Sequence, residues 1–322
     1  MRPMAKSLGG FRAALLIGWT ALSVAGVLYA RLKGIPGWAA LPALAAFLVE
    51  YPFYLVPAFS GLRERLAGTP LPGFLVASAL LPYLVCCCGA VEFQFSGFVR
   101  LAALALALSL WYLVLPPVAL ADIAYLALLA AVLLGKYFDP IYHPLYPGLD
   151  TAILGHLALI QIAAMALMLE RRVHETGYGF LPNWKEWRIG ALHFLYFVPV
   201  GFPLALAIGA MRFTAPAPLW KIAGTFLGIL WVVALSEEFF FRGVLQQWLE
   251  EWTWNRPAAL AITSVLFGLV HVGFRGFPNW RWVLIAGVLG WFCGRARNQA
   301  GSIRAGMVTH ALVVTAWRAF FV

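Results

Sequence analysis

Residues 219–249 read LWKIAGTFLGILWVVALSEEFFFRGVLQQWL. Up to Leu235 the run is apolar apart from Lys221 and Thr225. It then carries Glu237, Glu238 and Arg242 among three phenylalanines. As a helix it would be about 46 Å long, against a hydrocarbon core of about 30 Å. It is therefore expected to tilt strongly or to leave the bilayer. A carboxylate at mid-bilayer costs about 2.5–3.5 kcal/mol on insertion scales, so two in succession mark a candidate functional site. Glu238 and Arg242 stand at i, i+4, on one helical face, and can pair. Glu237 points about 100° away and keeps a carboxylate without a local partner. One acid is neutralised and the other is free to act as a base, although an interfacial cluster of helix-end charges would show the same pattern.

The rest of the chain matches this apolar setting. Of 322 residues, 63% are hydrophobic and only 11% charged. Soluble domains are roughly half apolar and about a quarter charged, so a soluble enzyme and a disordered protein are both excluded. Apolar runs fall at 11–30, 37–59, 72–92, 96–116, 117–135, 151–170, 189–211, 219–249, 257–273, 280–296 and 302–321. Pro116 and Pro117 separate the fourth from the fifth, because two prolines cannot both sit in a helix interior. The fold class read from this pattern is all-α, a polytopic transmembrane helix bundle of about 9–11 spans. The net charge of +10 sits mostly at the ends of apolar runs, where Lys and Arg anchor topology. No basic stripe interleaved with aromatics points to nucleic acid. Arg2, Lys6 and Arg12 precede the first run without a clear cleavage site, so that run reads as the first span, with its N-terminus cytoplasmic. Cys86, Cys87, Cys88 and Cys293 form no metal-type pair and read as small buried hydrophobes.

Two polar connectors interrupt the runs, 135–150 and the more charged 171–188. The organisation expected is an N-terminal transmembrane region at 1–170, a charged connector at 171–188 and a functional core at 189–322. Ionisable groups in the first region have structural explanations. Glu50 and Glu92 read as interfacial, Asp122 lies near a span start, and His156, like His193 later, reads as a histidine bonded to a neighbouring helix. Lys221 can snorkel. In the core, His271 follows Phe267 by four residues, and His310 lies on the last run. If three spans bring Glu237, His271 and His310 together, they supply a base, an imidazole and a second donor, enough to activate water and hold an oxyanion.

At these positions the chain resembles the CPBP intramembrane proteases, which include the type II CAAX prenyl endopeptidases and the bacteriocin-processing and immunity proteins. The motif E-E-x-x-x-R appears as Glu237, Glu238 and Arg242, F-x-x-x-H as Phe267 and His271, and the third motif begins at His310. The third motif's polar residue falls on Val314, with Thr315 about 100° round the helix. Thr315, water or another helix would then have to supply the missing donor. The resemblance spans about 185–322 and implies an intramembrane endopeptidase. In it Glu237 is the general base, His271 orients or polarises the water, and His310 stabilises the oxyanion. Glu238 and Arg242 lock the first motif's helix. The implied substrate is a membrane-held or lipidated protein, such as a prenylated CAAX tail or a C-terminal sorting tail. If zinc is bound, its ligands would be Glu237, His271 and His310 with water. No H-E-x-x-H is present, and a metal-free glutamate mechanism is the expectation, with no cofactor.

Serine-type chemistry lacks a suitable G-x-S-x-G serine. Aspartyl-type chemistry lacks a pair of intramembrane aspartates. Two non-proteolytic alternatives stay open: a catalytically impaired immunity or scaffold protein on the same core, which Val314 would suit, and a transporter using the buried charges as a relay. The absence of an evident organelle presequence and the compact connectors suggest a bacterial inner membrane.

Overall fold

The computed structural model describes residues 8–68 and 70–322. Arg2 and Lys6, which bear on orientation, lie outside them. Each of the eleven apolar runs lies on a helix. In chain order these are α1 Leu8–Lys33, α2 Gly37–Leu55, α3 Pro70–Cys86, α4 Phe95–Val114, α5 Ala119–Leu134 and α6 Ala152–Met165. The series continues with α7 Trp184–Ala207, α8 Leu219–Thr253, α9 Arg256–Leu269, α10 Trp280–Ala300 and α11 Ile303–Phe320. The chain is thus an all-α, multi-pass membrane protein. By length and apolarity, six of the helices can cross a membrane, or seven if the bent pair ending in α3 is one span. That is fewer than the eleven runs because α5 and α9 are short. In addition, α10 carries Arg281, Arg295 and Arg297, and α11 carries Arg304 and Arg318.

The chain divides into two compact units, 1–173 and 174–322. In the first, α2 packs on α1, α3 and α6, and α4 packs on α3. Pro116 and Pro117 do separate α4 from α5. Asp122, on α5, is fully buried. It receives both Nε and Nη2 of Arg171 at 2.7 Å, and the Tyr112 hydroxyl at 3.1 Å. This bidentate pair accounts for an acid in an apolar helix without chemistry. His156 bonds through Nδ1 to the Ala152 carbonyl one turn back, and His193 bonds likewise to Ile189. Their partners belong to their own helices rather than to a neighbour. Glu50 is 1% exposed, with no hydrogen-bond partner at either carboxylate oxygen, so it is an interior group of this unit.

The second unit holds the core. Its first helix starts five residues before the expected run because Asn183 and Glu186 form a reciprocal capping box. Glu186, part of the charged connector, is buried and pairs with Arg304 of α11 at 2.8 Å. α7 packs on α10 and α11, and α9 packs on α10. The glycines of α10 permit this closeness. A Cβ on Gly294 would stand 2.3 Å from Leu260, and one on Gly290 3.2 Å from Phe267. Small residues at helix contacts serve the same purpose in membranes generally.

Candidate active site

The long helix α8 is not uniformly α-helical. It is π-helical over Ile229–Ala234, α-helical over Leu235–Glu238 and π-helical again over Phe239–Leu245. π-Turns are rare in proteins and concentrate at functional sites. Here they bracket the two glutamates. They re-aim the side chains that follow, a shift no 3.6-residue wheel reports.

Glu238 and Arg242 are both 0% exposed, with Arg242 Nη1 3.2 Å from Glu238 Oε1. Arg242 also donates from Nη2 to the Gly290 carbonyl at 3.0 Å, and its guanidinium lies 4.3 Å from the centroid of the Phe267 ring. The arginine therefore ties the first motif to α9 and α10 at once. Phe267 supports it through cation–π contact.

His310 enters from α11 and is 3% exposed. Its Nδ1 is 3.0 Å from Glu238 Oε1, and its Nε2 is 3.8 Å from Glu237 Oε2. A carboxylate only accepts hydrogen bonds, so Nδ1 carries the proton and donates it to Glu238. Nε2 is thereby turned toward Glu237. The Glu237 side chain is 30% exposed while that of Glu238 is sealed, so the reachable carboxylate is the one without a cation. The packing is close: a Cβ on Gly306 of α11 would stand 2.6 Å from Glu238 Oε2.

His271 lies just past the end of α9 rather than on it, because that helix stops at Leu269. Its Nδ1 bonds to the Phe267 carbonyl at 2.7 Å, and its ring is 5.0 Å from the Phe267 ring. A carbonyl acceptor places the proton on Nδ1 and leaves Nε2 as an acceptor. Phe267 also meets His310 edge-on at 5.9 Å. Glu237, Glu238, Arg242, Phe267 and His310 thus form one contact network, and His271 joins it through Phe267.

Cys293 was not legible as part of this site. With Glu238 and His310 it forms a buried set of donor atoms within 4.8 Å of one another. Its sequence neighbours are apolar, and only the face that α10 turns to α8 and α11 brings it in. This set differs from the Glu237–His271–His310 trio named above as the ligands if zinc were bound. It also includes a carboxylate already paired with a buried guanidinium, which opposes a second cation, so the residues gathered here do not make a fitting zinc site. Val314 packs with Phe197 and Phe267 in the apolar core and supplies no donor. Thr315 lines a separate cavity with Lys221 and Arg275.

Residues 219–316 match the family model described as Type II CAAX prenyl endopeptidase Rce1-like. The family is one of proteases, and the matched segment contains Glu237, Glu238, Arg242, Phe267, His271 and His310, with Val314 at the third motif's polar position. No curated protein and no solved structure matches the chain.

Proposed function

We propose that the Rce1-like segment makes this chain an intramembrane endopeptidase that hydrolyses a peptide bond near the end of a membrane-held, lipidated protein, with Glu237 as general base. The observation that carries the reading is the division between the two glutamates. Glu238 is spent on Arg242 and His310, and Glu237 is reachable and faces His310 Nε2.

In this mechanism Glu237 takes a proton from a water molecule as the water oxygen attacks the scissile carbonyl carbon. His271 orients that water by accepting from it at Nε2. The carbonyl π electrons move to oxygen, and His310, protonated on both nitrogens, stabilises the oxyanion from Nε2 while Glu238 accepts from Nδ1. Collapse re-forms the carbonyl and breaks the C–N bond. Glu237 returns its proton to the departing amine. No step requires a metal or cofactor. The expected setting is a bacterial inner membrane.

The test is cleavage of a farnesylated peptide ending in a CAAX sequence by membranes carrying the wild type or Glu237→Gln. The wild type should release the terminal tripeptide, and the variant should lose at least about a hundredfold in rate, the usual scale of a general base, at equal protein level. Equal rates would overturn the reading. Val314 supports a second reading, a non-catalytic scaffold on the same core, under which both membranes leave the peptide intact.

A further inference from the structure

A second feature of the 174–322 unit shares no residue with the glutamate–histidine cluster. The start of α8, the turn after α9 and the last turn of α11 meet there. Ala217 N–H, just ahead of α8, donates to the Ala319 carbonyl of α11 at 2.9 Å. Between these segments lies a cavity of about 350 Å³, which Lys221, Arg275 and Arg318 line without any acidic side chain. None of the three cations forms an ion pair among the described residues, and Val322, also in the wall, turns its backbone to Arg212. Thr315 Oγ1 and Trp317 Nε1, both buried in the wall, have no hydrogen-bond partner. Cations gathered in one cavity repel one another unless an anion joins them. A buried donor without an acceptor likewise calls for a partner.

Arg275 is held in place but not neutralised. Its guanidinium lies 5.2 Å from the Trp317 ring and 5.6 Å from that of Trp282, and the Arg318 guanidinium lies 6.0 Å from the same Trp317 ring. Aromatic faces orient a guanidinium while leaving its charge and its N–H groups on offer. Two arginines against one indole, with a lysine in the same wall, suit the oxygens of a phosphate, which accept bidentate pairs.

The surroundings of the cavity indicate where that phosphate comes from. Lys221 is in the first turn of α8, a helix long and apolar enough to cross a membrane, and Arg318 is in the last turn of α11. The ends of spanning helices lie at the level of the lipid headgroups. Close by in the chain, Trp220, Phe277 and Trp280 are 69%, 81% and 62% exposed. Exposed tryptophans at helix ends belong to the membrane interface, where one side is apolar and the other wet. Trp280 also lines a second cavity, of about 500 Å³, which shares Arg275 with the first and adds Arg281. A free phosphate ion gains nothing from exposed aromatics. A phospholipid uses both features, its phosphodiester among the cations and its acyl chains along the apolar rim.

We propose that this cavity is a specific site for the headgroup phosphate of an anionic phospholipid. Held there, the lipid joins the turn after α9 to the ends of α8 and α11. The same turn carries His271, whose carbonyl accepts from the Phe274 N–H at 3.0 Å. An occupied cavity thus braces the segment on which His271 is placed. The lipid site stands whether or not the chain cleaves peptides.

The experiment titrates fluorescent phosphatidylglycerol, and separately fluorescent phosphatidylcholine, into the full-length protein in uncharged detergent. Phosphatidylglycerol should bind at least about tenfold more tightly, the scale of one charge-assisted pair. Lys221→Gln, Arg275→Gln and Arg318→Gln should each weaken its binding by about fivefold, the scale of one basic residue beside an anionic lipid, and leave phosphatidylcholine binding unchanged. Arg256→Gln, an exposed position at the other end of α9, should change neither. Inorganic phosphate should not displace the bound lipid. Unfolding temperatures in lipid-free detergent show which variants fold, and three separate positions keep the test decisive if one of them does not. Equal binding of the two lipids overturns the proposal. So does an equal loss in Arg256→Gln, which would mark diffuse surface charge, or displacement by inorganic phosphate, which would mark a site for a small free anion.

Discussion

His310 Nδ1 stands 3.0 Å from Glu238 Oε1, in a place where the carboxylate is wholly buried and already held by Arg242 at 3.2 Å. The histidine is thus oriented by the sealed acid, and its other nitrogen faces the acid that is partly exposed. Two adjacent glutamates acquire different work from their surroundings. One is sealed and fixes geometry; the other is partly exposed and is the one to which the proposed mechanism gives the proton transfer.

The first consequence concerns stability. Arg242→Met removes the cation and strands Glu238 in the interior, which costs about 3–5 kcal/mol for a buried pair. Thermal unfolding in detergent should show a large loss of stability for Arg242→Met and almost none for Glu237→Gln. The reverse order would mean that Glu237 is the structural acid.

Gly306 is the second. A Cβ there would approach Glu238 Oε2 to 2.6 Å, whereas one on Gly287 would come no nearer than 3.5 Å to the Ser264 carbonyl. Overpacking of this kind costs about 1–3 kcal/mol and would shift the carboxylate that orients His310. Gly306→Ala should lower the cleavage rate by about tenfold or more, and Gly287→Ala should leave it nearly unchanged. Equal rates in the two variants would show that the close contact does not matter.

Cys293 lies in the same buried set as Glu238 and His310, an arrangement that also suits a thiol nucleophile. Under the water mechanism the sulfur makes no bond to substrate. Cys293→Ala should keep at least about a tenth of wild-type activity, in contrast to the hundredfold or greater loss expected for Glu237→Gln. A loss equal to that of Glu237→Gln would replace water with sulfur in the first step.

Metal removal gives a fourth outcome. Incubation with a zinc chelator followed by desalting should leave the cleavage rate unchanged, because the gathered donors include a carboxylate committed to a guanidinium. Activity that disappears and returns on adding zinc would contradict this.

The helical bundle, and most of the side chains that the structure brings together in the candidate site, were readable from the chain alone. Apolar runs mark helices, and Pro116–Pro117 could only divide them. Glu237, Glu238, Arg242 and His310 stood out because charge in lipid is expensive. What escaped reading depends on geometry that no periodic pattern encodes. The π-turns on both sides of the glutamates depart from the 3.6-residue period. His271 falls in a turn because α9 stops two residues before it. Cys293 joins the site only through helix packing, so its neighbours in sequence gave no sign of it. Glu186 belongs to the charged connector, yet it caps α7 and is buried against Arg304.

The most direct test of the central claim compares cells carrying the wild type with cells carrying Glu237→Gln. Protein termini in the membrane fraction would be quantified by proteomics, which requires no prior choice of substrate. The account predicts a small set of termini present with the wild type and absent with the variant, at equal abundance of the two proteins. An unchanged set of termini, with the variant accumulating normally, would contradict it.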